Sequence, residues 1–130
     1  MPARLHALRQ VALAGYPVGL TVAPILRLPD WPAAYDRLFA EVAAALDGVP
    51  GLDLTAELIT HRFTPKSKSV LEGWYPGSPL EMDPGQRSRK TTKFGSVKYV
   101  FPRGDMDALR RVLGESLGRH LPMARILYWT

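Results

Sequence analysis

The sequence predicts an alternating α/β fold, the distal half of a larger barrel or sheet that carries an appended basic β-hairpin. Three observations predict it. Helix-like and strand-like stretches alternate along the chain. Val18 to Leu28 (VGLTVAPILRL) is apolar on both parities until Pro24, as in a strand buried on both faces of a parallel sheet and ending near the proline. The chain also opens with a helix that no strand precedes, and two or three buried strands make a poor sheet without neighbours. At 130 residues and 46% hydrophobic content, there is room for one domain with a real core. Residues 1–86 are expected to supply the strands and helices, 87–103 the hairpin, and 104–130 a closing helix and strand.

Each element has a local cause. Leu5, Leu8, Val11 and Ala12 fall at helical spacing between Arg4 and Ala14, and Gly15-Tyr16-Pro17 ends that helix. After the first strand, Asp30 is placed to cap a second helix with Pro32 in its first turn and a core stripe of Tyr35, Leu38, Phe39, Val42 and Leu46. Leu52 to Phe63 reads as a second strand that puts Thr60, His61 and Arg62 at its C-terminal end. Thr64-Pro65 then starts a short third helix running to Tyr75, with Trp74 and Tyr75 expected to close it onto the core. Proline and glycine break the chain from Pro76 to Gly85. A helix starting at Asp105 or Asp107 presents Leu109, Val112, Leu113, Leu117 and Leu121, and Ala124 to Trp129 closes as a strand.

The stretch Arg87 to Arg103 (RSRKTTKFGSVKYVFPR) holds six cations and no carboxylate. Val97 to Phe101 has the β-branched and aromatic content of a strand. Thr91-Thr92-Lys93 supplies the opposing arm, and Phe94-Gly95-Ser96 the turn. Phe94 is then at or beside the tip, where it can stack on a base or wedge between two, while Lys90, Lys93 and Lys98 meet phosphates. The alternative is an ordinary edge hairpin whose lysines block aggregation and whose Phe94 packs back on its own sheet. From Arg62 to Arg103 there are nine cations against three carboxylates, and the remainder has eight against nine, so the net charge of +5 belongs to one segment. A footprint of that kind suits a polyanion.

The absence of cysteine excludes a disulfide framework, a thiolate metal site, an iron–sulfur cluster with its own ligands and a cysteine nucleophile. No run approaches the apolar length of a membrane span and the N-terminus lacks a secretion signal, so the cytoplasm is expected. His61 is the best-placed histidine, beside Arg62 at a strand end, and the two are pocket candidates. A hydrogen-bonded structural histidine fits the same pattern. Glu81 and Asp83 give a weak magnesium signal, with a capping or arginine-paired turn as the simpler reading. Thr64 to Ser69 combines a helix start with Lys66 and Lys68, a plausible phosphate seat without Walker glycine spacing.

Three strings, ITHRFTPKSKSVLEGWYPGSPLEMD, RSRKTTKFGSVKYVFP and ARILYWT, together resemble the C-terminal half of spore photoproduct lyase family proteins. The upstream AGYPVGLTVAPIL resembles the preceding strand of the same family, so the likeness runs from about Val11 to the end. The resemblance implies a partial (β/α) barrel of the radical S-adenosylmethionine type. In that family a 4Fe-4S cluster cleaves S-adenosylmethionine, and the adenosyl radical takes hydrogen from a methylene-linked thymine dimer in DNA, which reverts to two thymines. It further implies that the Ala23 main chain approaches S-adenosylmethionine and that Lys93 and Phe94 form the hairpin tip entering DNA. Arg89, Lys90, Lys98 and Tyr99 are expected beside them, with Lys98 and Tyr99 on opposite faces.

The family carries its cluster cysteines in the N-terminal half, and this sequence contains no cysteine, so no catalytic residue is assigned in it. The family also shows arginine and tyrosine at the hairpin tip, where this chain has Lys93 and Phe94. Three expectations stay open: the DNA-binding part of a repair enzyme whose barrel needs its missing N-terminal half, a stand-alone nucleic-acid-binding module, and a remnant without function.

Overall fold

The computed structural model describes all of residues 1–130. Ten elements follow the chain: α1 (Pro2–Leu13), β1 (Val18–Ile25), α2 (Trp31–Leu46), β2 (Leu54–Thr60), α3 (Pro65–Trp74), a 3₁₀ turn (Pro84–Gln86), β3 (Ser88–Thr91), β4 (Val97–Val100), α4 (Arg103–His120) and β5 (Arg125–Trp129). β1, β2 and β5 make a parallel sheet in the order β1-β2-β5, and β3 and β4 form a separate antiparallel pair. The mixed α/β class with a parallel sheet is thus as expected.

The α1 stop is set by Gly15, whose φ of 85° lets the Tyr16 N–H reach the Val11 carbonyl and its own N–H reach that of Ala12. Pro17 then hands over to β1. The core is a cluster of Val18, Val22 and Ile25 from β1, Leu54, Ala56 and Leu58 from β2, Phe39, Val42 and Leu46 from α2, and Leu109, Leu113 and Leu117 from α4, with Ala12, Phe101 and Leu121 at its margins. Both helical stripes therefore point where their spacing said, although Val112, Tyr35 and Leu38 are only partly buried. The Tyr35 hydroxyl accepts the Leu26 N–H at 2.9 Å, tying α2 to the chain leaving β1. Burial of the ring raises the Tyr35 pKa, and that hydrogen bond pulls the other way.

Several expectations are corrected. β1 is not buried on both faces. Val18, Val22 and Ile25 are covered, but Gly19, Thr21, Ala23 and Pro24 are exposed, because α1, α2 and α4 all pack on one side of the sheet. β1 does end near the proline, at Ile25, whereas β2 is confined to Leu54–Thr60. Asp30 occupies the N-cap position of α2 but makes no side-chain cap. Its backbone is left-handed, with φ 60°, whereas a capping side chain is normally aimed by an extended backbone. α4 begins before both aspartates, at Arg103 after Pro102. The first hairpin arm is Ser88–Thr91, with Thr92 and Lys93 already in the turn. Trp74 and Tyr75 are 75% and 61% exposed, at the end of a helix that buries none of its residues.

Candidate nucleic-acid interface

The hairpin is built by pairing Ser88 with Val100, Arg89 with Tyr99, Lys90 with Lys98 and Thr91 with Val97. Its turn is held by the Gly95 N–H donating to the Thr92 carbonyl at 3.0 Å and the Ser96 N–H donating to the Thr92 hydroxyl at 3.1 Å. Gly95 has φ 79°, a conformation that glycine adopts without strain. Phe94 therefore stands at the tip and is 91% exposed, so it does not fold back on its own sheet.

Strand alternation sorts the side chains. Lys90 and Lys98 lie directly across from each other, an arrangement that costs free energy without an anion between or beside them. Tyr99 faces the other way and stacks on Phe63, ring centroids 5.2 Å apart, so of the two adjacent residues Tyr99 is the one turned to the domain. The Phe63 and Tyr99 main chains also exchange two hydrogen bonds, at 3.1 and 2.7 Å, which moors β4 to the segment leaving β2. Arg89, Lys90, Lys93 and Lys98 form no ion pair within the chain.

That mooring brings α3 into the same region, since Thr64 follows Phe63 directly. The Thr64 hydroxyl accepts the Ser67 N–H at 3.0 Å, and the Ser67 hydroxyl accepts the Thr64 N–H at 2.9 Å, a reciprocal cap. Lys66 is exposed beside it, while Lys68 reaches Glu72 at 3.6 Å. A shallow groove along this helix is lined by Lys66, Val70, Trp74 and Tyr75 among others.

His61 and Arg62, at the end of β2, are each held by other groups of the chain. His61 is buried, its N–H donates to the Ile25 carbonyl at 2.9 Å, and its ring meets Arg87. Burial first, and the Arg87 charge second, lower the His61 pKa, with Glu81 opposing them. Arg62 turns to the end of the chain, donating to the Thr130 hydroxyl at 2.8 Å. Arg87, counted among the hairpin cations, is buried and paired with Glu81, so it offers no charge to a polyanion. Asp83 caps the 3₁₀ turn through the Gly85 N–H at 2.8 Å, so Glu81 and Asp83 are spent on the arginine pair and the turn.

A cleft of about 520 Å³, absent from the sequence reading, opens beyond the end of β1. Its walls include Arg27, Trp31, Arg87, Phe101 and Asp105, with Arg27 and Asp105 ion-paired. Neither His61 nor Arg62 lines it. Ala23 lies on the uncovered face of the sheet. The register with β2 breaks between Val22 and Ile25, so Ala23 and Pro24 have no partner residue opposite on β2. That leaves a stretch of main chain open to a ligand that hydrogen-bonds peptide groups. An iron–sulfur cluster finds no thiolate in this chain. No helix is long and apolar enough to cross a membrane.

Comparison with known proteins agrees along the whole chain. The chain is 42% identical over 128 residues to a spore photoproduct lyase of a Geobacillus species and 40% identical over 127 residues to that of Bacillus subtilis. Each alignment covers 98% of this chain but only 38% and 37% of the relatives. Solved spore photoproduct lyases superpose with a TM-score of 0.94 at 39% identity, covering 100% of this chain and 38% of theirs. One is a mutant with bound AdoMet and dinucleoside spore photoproduct, and another is complexed with dinucleoside spore photoproduct. The family model for spore photoproduct lyase matches residues 1–130, and with sequence, fold and hairpin in agreement the chain belongs to the spore photoproduct lyase family.

Proposed function

We propose that this chain is the DNA-contacting portion of a radical S-adenosylmethionine enzyme that repairs thymine photolesions, its parallel sheet being part of a (β/α) barrel. The observation that carries the reading is Phe94, 91% exposed at the tip of a hairpin whose Arg89, Lys90, Lys93 and Lys98 lack carboxylate partners. An exposed ring on a cationic ribbon suits a partner with phosphates and stackable bases. A lesion unstacks more cheaply than an intact base, so a wedge there selects damaged sites.

The roles divide by position. Lys93 and Phe94 enter at the lesion, and Lys90, Lys98 and Arg89 hold flanking phosphates. Lys66 and Lys68 at the start of α3 extend the phosphate track, and Tyr99 supports the hairpin from behind while reaching the interface edge. Ala23 offers main-chain groups to S-adenosylmethionine, which when bound supplies the hydrogen-abstracting radical. His61 and Arg62 shape the wall between the barrel mouth and the hairpin. The cluster and its cysteines come from outside these residues, from the remaining length that the relatives have, so by itself the chain binds and does not catalyse. The hairpin is its own functional unit over 87–103, flanked by the barrel elements of 1–86 and the closing pair of 104–130.

Titration of fluorescent duplex DNA at several salt concentrations tests this. Binding that weakens steeply with salt, and is tighter for a duplex carrying a thymine photolesion, is expected. A folded chain with no salt-dependent binding would overturn it.

A further inference from the structure

Arg87 ties the base of the hairpin to the domain, as the Phe63–Tyr99 pair does further along β4. It precedes β3 by one residue, and Phe101 follows β4 by one, so the two hold the base of both arms. The guanidinium lies over the Phe101 ring at 3.9 Å and 5.5 Å from the centre of Phe63. Nε donates to the Glu81 carboxylate at 2.8 Å, with Nη2 on the same oxygen, and Nη1 donates to the His61 carbonyl at 3.1 Å. Nη2 also meets Nδ1 of the His61 ring at 3.3 Å. His61 follows β2 directly, so these contacts tie the hairpin base to the end of the parallel sheet.

Nη2 shares its N–H groups among the Glu81 carboxylate, the Glu81 carbonyl at 3.3 Å and Nδ1 of His61, and since a guanidinium carries donors and no acceptor, Nδ1 can only accept in that contact. The imidazole is then neutral, with its proton on Nε2. A second proton would turn Nδ1 into a donor facing a donor and set two cations against each other in a buried place. The charged groups facing His61 are Arg87, from the start of the hairpin, and Glu81, from the preceding loop. One carboxylate balances Arg87 alone.

We propose that His61 and Arg87 form a proton-sensitive seat, in which Arg87 is the positioning residue that holds the hairpin while His61 is neutral and releases it when His61 is protonated. The consequence for binding rests on the DNA-contacting reading of the hairpin; the seat itself does not. The chain has no cysteine, so Ser96→Cys in the exposed turn gives a single thiol for a nitroxide label.

The experiment follows label mobility from about pH 8 down to about pH 5 in the full chain, beside affinity for an intact duplex over the same range. The label is expected to move with the domain at the upper end and to gain a mobile component on acidification, with affinity falling by at most about tenfold per pH unit once the released imidazole takes up its proton. His61→Asn places an amide oxygen where Nδ1 stands and does not titrate. It should keep the label immobile throughout and remove the extra loss of affinity. Arg87→Lys keeps the charge without the fork and should leave the label mobile at every pH. A pH-independent label in the parent, or the same acid mobility in His61→Asn, would overturn the seat. A label that loosens as expected with duplex affinity unchanged would instead overturn the DNA reading and leave the seat standing.

Discussion

Replacing Phe94 by alanine separates what the tip does for binding from what it does for folding. The ring is 91% exposed, so its removal uncovers no packed surface, and stability should change by no more than about 0.5 kcal/mol. Stacking of one base on an aromatic ring contributes about 1–3 kcal/mol. At about 1.4 kcal/mol per tenfold change, Phe94→Ala should raise the Kd for a lesion-bearing duplex by about 5-fold to about 150-fold. On an intact duplex the base must first be unstacked, at a cost of about a few kcal/mol, so the ring gains less there and the loss should be smaller. Fluorescence anisotropy with two duplexes that differ only in a thymine photolesion, at one fixed salt concentration, measures both numbers. Equal losses on the two duplexes would refute the wedge, and so would a loss matched by a fall in the unfolding midpoint.

Lys93→Ala should weaken both duplexes alike and reduce the slope of log K against log salt by about 0.9, the value for one phosphate contact given up; an unchanged slope would remove Lys93 from the interface. Asp36 links α2 to α4, its carboxylate accepting from Ser116 at 2.6 Å, Arg119 at 2.8 Å and His120 at 3.0 Å. The Ser116 hydrogen bond above all, then Arg119 and His120, lowers its pKa from 3.8 to about 2. A depressed carboxyl pKa stabilises the fold above its unfolded value and loses that contribution as pH falls through the folded one. Urea midpoints should therefore drop more steeply for the parent than for Asp36→Asn between about pH 4 and about pH 2, and parallel drops would show that the cluster contributes nothing to folding.

What the sequence disclosed was mainly what one strand of text can hold. Helical spacing located Phe39, Val42, Leu46, Leu109, Leu113 and Leu117 because those residues meet a single covering sheet. The hairpin was legible from Gly95 and the β-branched run after it, whose conformational demands are local. The open face of β1 was not legible, because an apolar run reads alike whether one or both faces are covered. That face depends on α1, α2 and α4 choosing the same side. The role of Arg87 is illegible for a similar reason. In composition it is one more cation in a basic stretch, and only the approach of Glu81, His61 and Phe101 in space makes it a buried anchor. Hydrophobicity points Trp74 and Tyr75 to the core, yet α3 contributes no buried residue to it.

The hairpin and the main core are joined by few side chains, and this makes their perturbations separable. Phe63, Met82 and Val100 are buried but stand outside the main cluster, Phe63 against His61 and Arg87, while Phe101 lies under Arg87 and within the main cluster. Leu113 is fully buried within that main cluster, on α4, and makes none of the polar or stacking contacts that seat the hairpin. Leu113→Ala should therefore cost about 2–5 kcal/mol of unfolding free energy, as for other truncations of buried leucine. While the variant remains folded, its duplex affinity and salt slope should match the parent, because every group that seats the hairpin is intact. Urea unfolding followed by circular dichroism gives the first quantity and DNA titration at low temperature the second. A folded Leu113→Ala chain with a reduced salt slope would show instead that core and hairpin order together. The tip's position would then be set by global stability rather than by the contacts of Arg87, Phe63 and Tyr99.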